Sequence, residues 1–325
     1  MTITPAVEAR GLTKTFGANR AVDGIDLTIA EGEIFGVLGP NGAGKTTVLN
    51  MLATLLPIDG GEARIFGHDV RSEGHAVRQL IGVTGQYASV DENLTARENL
   101  WLFGRLQGLS SKKAHSTGDD LLAQFDLTKA ARRPISQFSG GMRRRLDLAA
   151  SLITRPALIF LDEPTTGLDP RTRGQMWDTI RDLAAAGSTI LLTTQYLNEA
   201  DALAGRIIVI DRGRKVAEGS PAELKARIGT SSLRVRLVEG ADTPKAVALA
   251  ADLTRETPIL AATGSGFSVT LTNANQAADV LIALRDHRLE ITNATVEQPS
   301  LDDVFMALTG RPSESPIPET EASNS

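Results

Sequence analysis

The run Gly39-Pro40-Asn41-Gly42-Ala43-Gly44-Lys45-Thr46 constrains this chain more than any other stretch. An apolar strand-like segment, Glu33 to Leu38, leads into it, and an apolar helical pattern, Thr46 to Leu56, leads out. A strand, a glycine-rich turn and a helix in that order let consecutive backbone N–H groups curl around phosphate oxygens at a helix N-terminus, where the dipole favours anions. Lys45 is then placed to reach the β- and γ-phosphates, and Thr46 to offer its hydroxyl to Mg2+. A glycine-rich turn before an ordinary helix needs neither a lysine nor a hydroxyl there. The expected nucleotide-contacting set runs from Gly39 through Thr47.

A second motif supports the first. Leu158-Ile159-Phe160-Leu161-Asp162-Glu163 is an apolar strand ending in two acids, which puts both carboxylates at the carboxyl edge of a sheet, where α/β proteins bind ligands. Asp162 can hold the hydration shell of Mg2+, leaving Glu163 to polarise a water for in-line attack on the γ-phosphate. Alone, such a strand ends as readily in solvated acids; beside a phosphate loop the pair acquires a purpose.

Further apolar runs at Ala157 to Leu161, Ser188 to Thr193 and Arg206 to Ile210 alternate with helical patterns. That alternation implies an α/β fold with a mostly parallel sheet covered on both faces. A helical insertion is expected at about 91–135, within an ATP-binding domain spanning 1–225. From 230 to 310 the pattern becomes βαββαβ, the ferredoxin-like order, with strands at Leu233 to Val238, Ile259 to Ala262, Phe267 to Leu271 and Glu290 to Val296. Helices fall at Pro244 to Leu253, Asn275 to His287 and Leu301 to Leu308. Residues 311–325, rich in Ser, Pro and Glu, read as a disordered tail.

Composition narrows the partners. A net charge of -5 and 4% aromatic residues argue against nucleic acid. With no cysteine, disulfides and thiolate-held metals are excluded. The segment Met1 to Phe16 lacks the pattern of a signal peptide, and no apolar run reaches membrane-spanning length. A soluble chain is expected, cytoplasmic and peripheral on the inner face of the cell membrane if it serves a membrane process.

The third motif is Ser139-Gly140-Gly141 ahead of a helical pattern from Met142 to Ile153. Arg143, Arg144 and Arg145 crowd its first turn, where cations oppose the helix dipole. A solvated basic face is the plain alternative; the glycines favour a helix start built to meet an anion.

Together, in this order, these motifs resemble the ATP-binding cassette (ABC) family of P-loop NTPases, over roughly Val7 to Pro221. The resemblance implies ATP and Mg2+ as cofactors, a separate membrane permease as partner, and a homodimer in which each signature motif, here Ser139-Gly140-Gly141, caps the nucleotide of the other subunit. Phe138 and Met142 depart from the signature's usual Leu and Gln. By the same resemblance Gln86 is the Q-loop glutamine that senses Mg2+, Asp169 belongs to the D-loop, and Phe16 stacks on adenine. The stretch from Tyr87 to Leu106, which follows Gln86 and includes Trp101, Leu102 and Phe103, is expected near the permease. Where the family usually carries a switch histidine, this chain reads Thr193-Thr194-Gln195-Tyr196, and its histidines, His68, His75, His115 and His287, lie elsewhere. Gln195 can donate a hydrogen bond to the γ-phosphate but cannot shuttle a proton. That run, with Pro299-Ser300-Leu301-Asp302-Asp303-Val304-Phe305, is similar to the daunorubicin-resistance branch of drug exporters. Export of drugs, antibiotics or lipid-like compounds is the expectation, and an importer ATPase with a C-terminal ligand-sensing domain the alternative.

Overall fold

The computed structural model describes residues 5–85, 90–228, 231–261, 264–273, 275–297 and 300–309. Gln86 and the tail 311–325 lie outside the described residues. The chain divides into two compact units, which meet in sequence between Pro221 and Ala222.

The first unit opens with a hairpin, β1 (Val7–Phe16) and β2 (Asn19–Ile29), followed by β3 (Ile34–Leu38) and α1 (Lys45–Leu52). Next come β4 (Gly60–Ile65), β5 (His68–Asp69), α2 (Gly74–Leu80) and β6 (Ile81–Thr84). Helices α3 (Ala96–Leu106), α4 (Ser111–Gln124) and α5 (Gly140–Ser151) precede β7 (Leu158–Asp162). The unit closes with α6 (Pro170–Ala185), β8 (Thr189–Thr194), α7 (Leu197–Leu203), β9 (Arg206–Asp211) and β10 (Arg214–Gly219). Helix α8 (Pro221–Ile228) begins at the boundary.

Six strands form the central sheet in the order β10-β9-β3-β8-β7-β6, parallel from β9 to β6, with β10 antiparallel at one edge. Every residue of β7 and β8 is buried, as strands covered on both faces require. The expected bounds of β3, β7, β8 and β9 hold to within one residue. Helix α1 stops short of Leu56 because Thr54 adopts a left-handed φ of 63°, which an α-helix cannot continue through.

A second sheet, β2-β1-β4-β5, is antiparallel throughout and was not read from the sequence. Irregular register between Ala9 and Leu12 explains why. Val7 and Ala9 face the core, then Leu12 and Lys14 do, so the period-two count slips by one across the bulge. Lys14 is buried yet satisfied, donating to the Pro57 carbonyl at 2.8 Å and to Asp59 at 2.7 Å.

The expected helical insertion is α3 and α4, and it packs on α5. Thr95 and Glu98 form a capping box at the start of α3, and Ser110 caps α4. Gly104 lets the two helices touch: a Cβ there would stand 2.8 Å from that of Ala114. Leu100, Leu121 and Phe125 join Leu146 and Leu148 of α5 and Ile159 and Leu161 of β7 in one buried cluster, coupling the helices to the sheet. Phe103 packs against that cluster and Trp101 stacks on His115 at 5.9 Å, whereas Leu106 is exposed.

The second unit runs β11 (Ser232–Leu237), α9 (Thr243–Thr254), β12 (Ile259–Leu260), β13 (Gly266–Thr270), α10 (Asn275–Asp286), β14 (Ile291–Glu297) and α11 (Leu301–Thr309). Its antiparallel sheet has the order β12-β13-β11-β14, which is the ferredoxin-like arrangement of a βαββαβ chain. Leu233, Val235, Phe267 and Val269 bury one sheet face against Ala246, Ala250, Val280 and Leu284 of its helices.

Candidate functional site

Strands β3, β8 and β7 are neighbours and finish together, with Leu38 beside Thr194 and Asp162 beside Thr193. Everything that follows them is therefore delivered to one edge of the sheet. The Gly39 N–H donates to the Thr194 carbonyl at 3.3 Å, joining the start of the phosphate loop to the strand that carries Gln195. Two glycines of the loop are fixed by close approach. A Cβ on Gly39 would lie 2.3 Å from the Ile210 carbonyl oxygen, and one on Gly44, whose φ is 103°, 2.4 Å from that of Ala21. Ala43 accepts from the Gly213 N–H at 3.0 Å, so the β9–β10 turn buttresses the loop. Asn41 and Gly42 are exposed along its crest, while Pro40, Thr46 and Thr47 are half-buried.

Lys45 is buried at the start of α1, where its ammonium donates to the carbonyls of Gly39 at 2.8 Å and Pro40 at 3.2 Å. It also lies 3.3 Å from the Glu163 carboxylate. Thr46 Oγ1 donates to Asp162 Oδ1 at 3.0 Å, and Thr193 Oγ1 donates to the same oxygen at 2.5 Å. A hydroxyl and a buried carboxylate converging beside the loop are hard oxygen donors that suit Mg2+. Among the described residues no cluster of three or more His, Cys, Asp or Glu could hold a metal by itself. This pair fits an ion that takes its remaining ligands from phosphate and water, as Mg2+ does.

Glu163 has a left-handed backbone, φ 48°, which a side-chain-bearing residue keeps only where its surroundings demand it. Its N–H donates to both the carbonyl and the hydroxyl of Thr193, each at 3.1 Å. Its Oε2 accepts from Thr166 Oγ1 at 3.3 Å. Gln195 leaves β8 next door, and its side-chain oxygen is buried without a hydrogen-bond partner among the described residues. An amide oxygen only accepts, so this buried atom suits a donor, such as the O–H of a bound water, and not a phosphate oxygen.

Ser139 caps α5, accepting from the Met142 N–H at 3.3 Å, and with Gly140 is exposed. Asp169 caps α6, accepting from the N–H groups of Arg171 and Thr172 and from Thr172 Oγ1 at 2.6 Å. That hydroxyl, first, and the amides hold the Asp169 carboxyl below its ordinary value. A Cβ on Gly141 would stand 2.6 Å from Thr172 Cγ2, so the signature and the D-loop cap form one surface. Phe16 is 47% exposed at the tip of the β1–β2 hairpin, whose Ala21 abuts Gly44, and Lys14 Nζ lies 5.6 Å from its ring centre.

The three arginines do not gather at the start of α5 to meet an anion. Arg143 pairs with Glu92 at 2.5 Å, Arg145 donates to the Phe125 carbonyl, and Arg144 turns inward to backbone carbonyls. Glu199, fully buried on α7, is another residue that motif reading passed over. It accepts from Thr165 Oγ1 at 2.8 Å and Trp177 Nε1 at 3.1 Å, stapling the segment after Gln195 to the loop after Glu163 and to α6. Burial, the largest influence, pushes its carboxyl up, against hydrogen bonds from Thr194, Thr165 and Trp177 and the charge of Arg173. Only an unusual acid on an otherwise apolar helix face could have flagged it.

Comparison with known proteins agrees with this geometry. The ABC transporter family model matches residues 22–166, and that of the C-terminal domain of DrrA1-3-like ATP-binding proteins matches 219–309. The chain is 50% identical to the daunorubicin/doxorubicin resistance ATP-binding protein DrrA of Streptomyces peucetius, over 96% of this chain and 94% of that one. It is 49% identical to the daunorubicin resistance ATP-binding protein DrrA2 of Streptomyces coeruleorubidus, over 95% and 96%. A dimeric ATP-binding cassette in a post-hydrolysis state, bound to ADP and phosphate, superposes with a TM-score of 0.61 at 27% identity, over 66% of this chain and 98% of that one. The chain therefore belongs to the ABC transporter ATP-binding proteins, an ATPase homologous to the DrrA resistance proteins.

Proposed function

We propose that this chain energises a separate membrane permease that exports a hydrophobic drug- or lipid-like compound, through ATP-driven closure of a homodimer. Carrying the reading is the convergence of Lys45, Thr46, Asp162 and Glu163 at one sheet edge. The resistance names of its relatives support export rather than import. Among the described residues no helix is long and apolar enough to cross a membrane, so the path through the bilayer belongs to a partner. A peripheral position on the inner face of the cell membrane follows from that division of labour.

The loop from Gly39 to Thr47 cradles the phosphates with backbone N–H groups, and Lys45 exchanges its carbonyl partners and Glu163 for phosphate oxygens. Thr46 and Asp162 would hold Mg2+, with Gln86 completing the set; bound there, the ion neutralises charge on the β- and γ-phosphates. Glu163 accepts a proton from the attacking water. Gln195 donates its amide to the γ-phosphate, and Phe16 covers the adenine. Ser139, Gly140 and Asp169, which are exposed, and the half-buried Gly141 between them cap the nucleotide held by the second copy.

The test is export itself. Cells given this chain together with its partner permease should accumulate less daunorubicin than cells given the same permease and the Lys45→Ala form. Equal accumulation in both, with the two proteins at equal levels, would contradict an ATP-driven export role for that compound class.

A further inference from the structure

Of the three arginines at the start of α5, one reaches the hydrolytic edge. Arg144 has 12% of its side chain exposed, and its guanidinium spends its donors on four carbonyls. Nη1 donates to Gly85 at 2.6 Å, Nη2 to Asp162 at 2.8 Å and Glu163 at 3.2 Å, and Nε to Pro164 at 3.0 Å. Asp147, one turn further along α5, lies 3.8 Å away and balances the buried charge. Three consecutive carbonyls are thus pinned across Glu163, the residue with the left-handed φ of 48°. A conformation of that kind persists only where its neighbours over-determine it. The Glu163 N–H, held by Thr193, fixes the opposite side of the same peptide.

We infer that Arg144 is a positioning residue for ATP hydrolysis. It holds the Glu163 turn in the geometry that aims the carboxylate. Because it rides on α5, it also ties the Ser139–Gly141 end of that helix, exposed at Ser139 and Gly140, to Glu163 of the same chain. An engagement of Ser139 by the nucleotide of a second copy is then transmitted to this chain's own general base, and to Gly85, the last described residue before Gln86. This inference rests on the reading of Glu163 as general base. A planar fork with five N–H groups is what four divergent carbonyls require; an ammonium, with three donors on a flexible stem, meets only part of that demand.

The experiment uses the full chain as wild type, Arg144→Lys, Arg144→Gln, Glu163→Gln and the double variant Arg144→Lys/Glu163→Gln. Arg144→Lys should lower kcat about ten- to a hundredfold, the scale of a misplaced catalytic group. Its KM for ATP and its affinity for fluorescent ADP should stay within about twofold, since the lost interaction does not touch substrate. Without nucleotide, amide hydrogen exchange across residues 162–166 should quicken in Arg144→Lys, and more so in Arg144→Gln, while exchange in α1 is unchanged. In the double variant the arginine's loss should add nothing to the loss from Glu163→Gln. A merely structural clamp would instead lower nucleotide affinity and turnover together, or slow both backgrounds equally, and either result overturns the inference. So does an unchanged kcat with unchanged exchange. If Glu163→Gln turns over like wild type, the general-base reading itself falls; if it is inert while Arg144→Lys is fully active, only the positioning role falls.

Discussion

Glu163 and Gln195 leave adjacent strands at one edge of the same sheet, yet the protein treats them oppositely. Around Glu163 the backbone is held from both sides, by Arg144 on its carbonyl and Thr193 on its N–H, and its carboxylate meets Lys45 and Thr166. Gln195 is tied to nothing through its buried amide oxygen among the described residues. A group that must move a proton works best when pre-aimed. Gln195 is proposed to read the γ-phosphate through its amide N–H groups, the donors a phosphate oxygen needs, while its oxygen stays open to a donor such as water. On the proposed function, the contrast sets proton transfer at the end of β7 against sensing at the end of β8.

Replacing the pre-aimed side should have the largest effect. Glu163→Gln keeps the shape and removes the base, so kcat should fall by about 10²–10⁴, the usual worth of general-base catalysis, with ATP binding retained. Steady-state turnover beside fluorescent-nucleotide titration checks both halves. On the sensing side, Gln195→Ala removes one hydrogen bond to a charged group, about 1.5–3 kcal/mol. That predicts a loss of turnover of about ten- to a hundredfold with ADP affinity nearly unchanged. Gln195→His, whose imidazole can donate to the same oxygen, should stay active and acquire a pH dependence near neutrality. Turnover at the wild-type rate in Gln195→Ala would dissolve the contrast.

Two further changes sharpen it from outside the strand ends. Ser139→Arg should leave ATP binding to the monomer intact while removing the ATP-dependent dimer expected, by light scattering, in the Glu163→Gln background. Equal dimer with and without the change would take the signature out of the interface. The smallest effect is expected at the cap of α3. Thr95→Ala should cost about 1 kcal/mol and lower Tm by roughly 2–4 °C in a unit of this size, without altering kcat. Bonds from the Thr95 hydroxyl and N–H hold the Glu98 carboxyl below its ordinary value. A lowered folded-state pKa means the cap contributes fully above the ordinary glutamate range and fades as pH falls through the lowered value. The Tm gap between wild type and Thr95→Ala should therefore narrow in acid.

What the sequence revealed follows from the same physics. The phosphate loop and the Asp162-Glu163 end were legible because strand, turn and helix lie consecutively and each residue type has one chemical use there. The helical insertion was legible from its periodicity, and the second unit from its alternation. The N-terminal antiparallel sheet was hidden by the irregular register near Gly11, which shifts the buried set from Val7 and Ala9 to Leu12 and Lys14. Of the expected second strand of the ferredoxin-like unit, Ile259 to Ala262, Ile259 and Leu260 are the described residues that pair with β13, and Ala262 lies outside the described residues. Arg144 was misread because a run of three like charges gives no hint that the middle one turns inward. Its partners are backbone carbonyls, invisible to any residue pattern. Glu199 was missed because its partners, Thr165 and Trp177, lie 34 and 22 residues away.

The division between a pre-aimed base and a ligand-reading amide is tested most directly by dimer formation. Glu163→Gln and Gln195→Ala should be compared by light scattering with ATP and with ADP, at equal nucleotide saturation. Glu163→Gln should dimerise with ATP and not with ADP, because its sensor is intact and hydrolysis no longer discharges the closed state. Gln195→Ala should form no more dimer with ATP than with ADP. If Gln195→Ala closes on ATP as fully as Glu163→Gln does, Gln195 does not read the γ-phosphate and the two strand ends are not divided as argued.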